Sequence, residues 1–278
     1  MSQKPVRHIV LCADDYGISP AVNGAIRDLI ARRRINATSV MTPAPSFTPA
    51  ETAALLRAAG SGAAIGLHLT LTAPYRPLSQ GYAPLRHGAF LPLAAMAGRA
   101  LARSLKPDRL ADEIASQLAA FSKAFGRAPD FVDGHQHIHL FPQIREALLA
   151  VVGKAAPEAW VRQCERSAAA RRPLSDPKGL FLDRLSRRFR ELAREHGVRT
   201  NPAFSGTYAF RAGTDYARLF PTFLDGMSDG GVIMCHPGVV DAELQRLDPL
   251  TDLREHEYAF FLEGIFPQLL AEHGVVLA

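Results

Sequence analysis

The side chains in this sequence that could bind a metal or move a proton fall in short stretches far apart along the chain. "ADDYG" (13–17) sets two carboxylates side by side, Asp14 and Asp15. "GLHLTL" (66–71) carries His68, and "DGHQHIHLF" (133–141) follows Asp133 with His135, His137 and His139 at a spacing of two. "WVRQ" (160–163) holds Arg162, and "VIMCHPG" (232–238) ends an apolar run in His236. Adjacent carboxylates do not both ionise comfortably without a positive partner, and a divalent cation would supply one. An Asp-Asp pair also serves as a turn or a helix cap, but Ser19-Pro20 already provides a helix start. The pair is therefore expected in a loop with no structural task.

Each histidine has a plainer reading as well. His68 alternates with Leu67, Leu69 and Leu71, which puts it with Thr70 on the other face of a strand, where a lone histidine can be a satisfied core residue. His236 before Pro237-Gly238 can be a turn residue. The His-x-His-x-His run is harder to explain by packing. In an extended segment, period two places all three rings and Asp133 on one side, as a metal ligand set or a substrate-binding rim. One carboxylate and two imidazoles leave coordination positions open, which is the habit of catalytic rather than structural sites. Arg162 can pair with an acid, bind a substrate oxygen or orient Asp14.

Only a fold that brings strand ends together can assemble residues so widely spaced. Apolar β-prone runs at 8–13, 37–42, 63–71, 130–135, 159–163, 198–204, 230–236 and 274–278 give about eight strands, mostly separated by helical patterns. The helix after Ser19-Pro20 presents Val22, Ile26 and Leu29. The series Leu110, Ile114, Leu118, Phe121 and Phe125 is a helical stripe closed by Gly126. Pro142 opens a helix through Ile144 and Leu148, and further helical patterns cover 181–195, 214–225 and 256–272. Strand–helix alternation of this kind implies a parallel sheet. About eight units in 278 residues favour an α/β fold with a (β/α) barrel, closed or nearly closed, over an open doubly wound sheet. Active sites then lie at the C-terminal strand ends, where these residues fall. One domain over 1–278 is expected, with loop insertions around 72–107 and 164–180 of the kind that act as lids or binding loops.

Composition narrows the partners. Hydrophobic residues make up 47% and charged residues 21%, and the net charge is +5. The arginine runs are dispersed and lack interleaved aromatics, so no nucleic-acid partner is expected. No apolar stretch reaches ~18 residues, so no membrane span is expected. The three cysteines form no pairable framework, and the apolar run in "MSQKPVRHIVLCADD" is too short for a signal peptide. The cytoplasm is the expected location, and a homodimer stays open.

Taken together, "ADDYG", "VN" (22–23), "TSVM" (38–41), "GLHLTL", "DGHQHIHLFP", "WVR" and "MCHPG" resemble the YdjC-like carbohydrate deacetylase family. That family includes chitooligosaccharide deacetylases and hopanoid-biosynthesis members, and the elements occur in family order from residue 8 to about 260. The resemblance implies a barrel, distorted or incomplete, related to polysaccharide deacetylases. It implies metal-dependent removal of an N-acetyl group from an amino sugar. By the same resemblance Asp15, His68 and His135 bind the metal, Asp14 is the general base and His236 the general acid, a role for which His137 and His139 compete. His137, His139 and Arg162 are expected to line the sugar site. The sequence departs from the broader polysaccharide deacetylase pattern, because His68 has no histidine four residues on. One divalent ion is expected, Zn²⁺ or Mg²⁺, with Mn²⁺, Co²⁺ and Ni²⁺ also compatible with Asp/His ligation. The competing readings are another metal-dependent barrel hydrolase, such as a phosphoesterase, and a non-catalytic metal- or sugar-binding protein.

Overall fold

The fold is organised around strand β1 (Arg7–Tyr16), whose residues from Leu11 onward are all buried. A computed structural model of the chain describes residues 5–166, 177–211 and 213–277. β1 is flanked on one side by β2 (Ala37–Val40), β3 (Ala64–Leu69), β4 (Phe131–Gly134) and β5 (Trp160–Val161), and on the other by β7 (Val232–Cys235) and β6 (Phe204–Ser205). Every pairing is parallel, and the strands read as continuous apolar runs because both faces are covered.

The two ends of this path meet. Single parallel bridges join Val161 to Thr200 and Arg166 to Phe204. Between them the Asn201 side chain replaces a backbone ladder, accepting from Gln163 N at 2.8 Å and donating to Gln163 O at 3.1 Å. The result is a distorted (β/α) barrel of seven strands. The eighth expected strand, β8 (Val275–Leu277), lies outside the ring: it pairs with Arg7–Ile9 of β1, while β7 takes Val10–Ala13.

Helices follow their sequence signals. α1 (Pro20–Ala31) starts where Ser19 Oγ accepts from Val22 N, and buries Val22, Ile26 and Leu29. α2 (Pro49–Ala59), which was not expected, repeats the device with Thr48, Pro49 and Glu51. The 72–107 stretch is not wholly irregular, because it contains α3 (Leu93–Leu101). α4 (Pro107–Phe125) buries the predicted stripe and ends at Gly126 with φ 68°. Its buried polar residues anchor the start of the long loop: Gln117 bonds both the N–H and the carbonyl of Thr70, and Glu113 accepts from Leu78 N and Ser79 N. α5 (Ile144–Ala155) follows Pro142, and α6 (Pro177–Glu195) begins inside the expected 164–180 insertion, of which 167–176 lie outside the described residues. α7 (Tyr216–Leu224) and α8 (Ala242–Leu247) lead to α9 (Asp252–Leu262) and α10 (Ile265–Glu272), which divide the single pattern expected over 256–272. Among the described residues, no helix is long and apolar enough to cross a membrane.

Candidate metal centre and active site

Asp14 and Asp15 are not in a loop. They close β1, where the register with β2 shifts between Ala13 and Tyr16. Asp15 has φ 71°, a left-handed conformation that costs ~1–3 kcal/mol for a residue with a Cβ and is held only by its surroundings. The bulge turns the two carboxyls in different directions. Each is buried, at 1% exposure, and each has its own arginine.

Arg162, directly after β5, donates to both oxygens of Asp14 at 2.6 and 2.8 Å. Its Nη2 also lies 2.6 Å from Asp133 Oδ2, an ionic contact rather than a directed hydrogen bond. Both Nη atoms are therefore taken up by carboxylates, and the side chain is 1% exposed. Burial pushes the Asp14 carboxyl up, but Arg162, with His68 beyond it, overrides this and holds it down at about 2. Asp14 is thus ionised across the working pH range.

Asp15 faces two imidazoles. His135 Nδ1 lies 3.0 Å and His68 Nε2 3.2 Å from its Oδ1, while Arg254 Nη2 donates to Oδ2 at 2.6 Å. Against the upward push of burial, Arg254 and His135 hold this carboxyl well below its ordinary value. His68 Nδ1 is 2.7 Å from Asp133 Oδ1 and 3.0 Å from Ser39 Oγ. Pairing with Asp133 puts the ring proton on Nδ1, which aims the Nε2 lone pair at the Asp15–His135 side. Burial works against a charged His68, yet Asp133 and Asp15 raise its pKa to about 10 without a metal. A metal must therefore displace a proton to bind there.

The ligand atoms of Asp15, His68 and His135 lie within 4.8 Å of one another, all buried. One carboxylate and two imidazoles, the first histidine backed by a carboxylate, is a donor set that fits a borderline divalent cation. Cys12, Asp14 and Asp133 also converge within that distance, but the Arg162 guanidinium already serves their charges. Burial keeps the Cys12 thiol protonated, so it offers no thiolate.

The histidine run does not lie extended with its rings on one face. Residues His135–Leu140 form a 3₁₀ turn in which Gln136 and His137 are left-handed, with φ 55° and 57°. The three rings diverge. His135 reaches Asp15. His137 is half-buried, with Nδ1 3.5 Å from Cys164 Sγ and its ring edge-on to Phe204. His139 is fully buried; its Nε2 donates to Arg162 O at 2.8 Å and its ring abuts Phe189. His139 thus lies in the core and holds the Arg162 backbone. Burial lowers both pKa values to about 3, so both rings are neutral.

His236 follows β7. Its N–H donates to Glu257 Oε2 at 2.6 Å, its ring meets Phe210 edge-on at 5.5 Å, and its Nδ1 has no partner among the described residues. Burial lowers its pKa, while Asp15 and Asp14 pull it the other way.

A family model described as "YdjC-like protein" matches residues 8–272. The chain belongs to the YdjC-like family. This YdjC-like protein is 28% identical over 249 residues to a chitooligosaccharide deacetylase of Escherichia fergusonii, covering 86% of this chain and 85% of that one. It is 26% identical over 249 residues to a human carbohydrate deacetylase, covering 84% and 76% respectively. Its fold is that of a protein from Enterococcus faecalis V583 assigned to cellobiose-phosphate cleavage, with a TM-score of 0.77, 22% identity, and 98% and 97% of the two chains covered.

Sequence reasoning missed four residues at the site of this YdjC-like protein: Arg254, Glu257, Ser39 and Tyr75. Arg254 and Glu257 sit in "DLREHEYAFF" (252–261), where alternating charge suggests a solvated face. The available signal was that both are in phase with Phe261, seven and four residues before it, on the buried side of α9. Tyr75 lies in the expected lid, with its ring edge-on to His135 and its buried hydroxyl without a partner among the described residues.

Proposed function

We propose that this YdjC-like protein is a metal-dependent hydrolase that removes the N-acetyl group of an amino sugar, as the names of its relatives suggest for them. The observation that carries the reading is the division of labour within the Asp-Asp pair. Asp15 joins two imidazoles in a three-donor set, while Asp14 is ionised, gripped by Arg162, and outside that set. A purely binding site needs the first carboxylate and has no use for the second.

Asp15, His68 and His135 would hold the ion. When bound, a divalent cation supplies Lewis acidity, polarising the amide carbonyl and acidifying water at the site. Asp14 would take the proton of the attacking water on one of its two carboxylate oxygens. Arg162 fixes the direction of that carboxylate, and Ser39 Oγ donates to Asp14 Oδ1 at 3.4 Å from the other side. A carboxylate held at about 2 is a weak base, so its value lies in placement and in a nucleophile already acidified. His236 Nδ1, unpartnered among the described residues and just past the C-terminal end of β7 beside β1, is the atom that delivers a proton to the departing amine. Its protonated form is favoured by Asp15 and Asp14 and opposed by burial. His137, neutral and half-buried beside Phe204, is the histidine of the run assigned to contact the sugar.

The test is elemental analysis of the purified protein joined to an acetate-release screen over N-acetylated sugars and glycolipids. The expected result is release that a chelator abolishes and added divalent metal restores. Acetate release untouched by chelation, or phosphoester cleavage with no acetate released, overturns the reading.

A further inference from the structure

α9 carries two fully buried ionisable side chains on one face, Arg254 at 0% and Glu257 at 1% exposure. Each is three residues from the other, which places them together on the helix. Buried ions are costly, and an apolar face would pack α9 onto the barrel with less desolvation. What they touch indicates why they are there. Arg254 Nη2 reaches Asp15 Oδ2 at 2.6 Å and Asp248 Oδ2 at 3.0 Å, and its Nε donates to Leu250 O. That uses the outer oxygen of Asp15 and leaves Oδ1 facing His68 and His135. The Arg254 carbonyl also accepts from Gly238 N at 3.0 Å, gripping the segment after His236. Glu257 divides its oxygens between two chain segments: Oε2 accepts from His236 N and Oε1 from the Tyr208 hydroxyl, both at 2.6 Å. Tyr208 lies against Phe210, and Phe210 meets the His236 ring edge. Phe210 itself has φ 41°, a conformation a bulky residue keeps only when its surroundings impose it.

We propose that Arg254 and Glu257 are positioning residues that let one helix set both halves of the site, Arg254 fixing the metal-side carboxylate Asp15 and Glu257 fixing His236 and the aromatic loop beside it. The proposal rests on the proposed function for Asp15 as a metal ligand and for the role of His236. Outer partners of metal ligands of this kind carry ~10–100-fold in metal affinity.

The experiment titrates metal-free protein with Zn²⁺ by calorimetry for the wild type, Arg254→Lys, Arg254→Met and Glu257→Gln. It also records histidine ¹⁵N spectra and measures kcat and KM for acetate release. Zn²⁺ affinity is expected to fall at least ~10-fold in Arg254→Met, with Arg254→Lys between it and the wild type, and to hold within ~2-fold in Glu257→Gln. If Arg254→Met fails to fold, the comparison of Arg254→Lys with the wild type decides that arm. In Glu257→Gln the His236 ring signal is expected to move while those of His68 and His135 stay, and kcat to fall ~10-fold or more at nearly constant KM. Arginine variants that bind Zn²⁺ like the wild type, or an unmoved His236 signal, overturn the proposal. The Zn²⁺ and ¹⁵N readouts need no substrate, so a wild type that releases no acetate removes the deacetylase reading and leaves this one decided.

Discussion

Replacing Arg162 by Met removes the cation that keeps Asp14 ionised inside the barrel. Asp14 stands at about 2 against an ordinary 3.8, with burial alone acting in the opposite direction. Without the guanidinium its pKa rises past the ordinary value, a change of ~2 units or more, or ~2.5 kcal/mol of differential interaction. In the wild type the ionised form persists down to about pH 2, so Asp14 contributes no acid limb in the working range. In Arg162→Met the base is lost as pH falls through its raised pKa, and an acid limb emerges in log(kcat/KM) above pH 4. The stability linkage reverses as well. In the wild type the Asp14 contribution is fully present above 3.8 and lost as pH falls toward about 2. In the variant, ionising Asp14 costs stability as pH rises. Asp133 loses the same partner, so the folded state weakens by ~3–5 kcal/mol. Arg162→Lys keeps a charge without the two-point grip and is expected to be intermediate. The assay is a pH–rate profile from pH 4 to 9 with ¹³C titration of the aspartate carboxyl. An unchanged acid side with kcat within ~3-fold of wild type would refute the role of Arg162.

Other outcomes follow from the same contacts. Asp133→Asn replaces the carboxylate that accepts the His68 Nδ1 proton with a neutral amide, and should weaken Zn²⁺ binding ~10–100-fold in a calorimetric titration, with the fold retained. His139→Ala empties a fully buried site against Phe189 and should cost ~2–4 kcal/mol in chemical denaturation while leaving Zn²⁺ affinity within ~3-fold. Native His139 is neutral with its pKa depressed to about 3, so the unfolded chain binds more protons and stability should fall as pH drops from 6.5 toward 3. That slope should flatten in His139→Ala. His236→Ala should retain metal and lose at least ~10²-fold in kcat for amide substrates, with a smaller loss on activated acetate esters whose leaving groups need no proton.

Much of the site was legible because a parallel barrel converts position along a strand into position in space. Asp14, Asp15, His68, Asp133 and His236 each end or nearly end an apolar run, and such ends share one face of the fold. Ser19-Pro20, the Leu110-to-Phe125 stripe and Gly126 were equally plain, since each is a local signal with a local cause. The histidine run was misleading for a specific reason. Period two places rings on one side only if the backbone is extended, and a short polar segment has no hydrophobic repeat to enforce that. Two left-handed residues, Gln136 and His137, turn it into a 3₁₀ coil and send His139 into the core. The charge problem of the Asp-Asp pair was seen, and pairing with Asp14 was among the roles open to Arg162, but Arg254 was not anticipated. Two arginines, arriving from β5 and α9, neutralise the pair before any metal is bound. Arg162 ends a strand-like run as the other site residues do, whereas Arg254 lies 239 residues from Asp15 on a helix whose charge pattern reads as solvated.

The central claim is that Asp15 and His68 hold the ion while Asp14 uses it. It is tested most directly by measuring bound metal and acetate release together in Asp14→Asn and His68→Ala. Asp14→Asn is expected to keep its metal and lose at least ~10²-fold in turnover, whereas His68→Ala is expected to lose both. Wild-type turnover in Asp14→Asn, or a metal-replete His68→Ala, would contradict it.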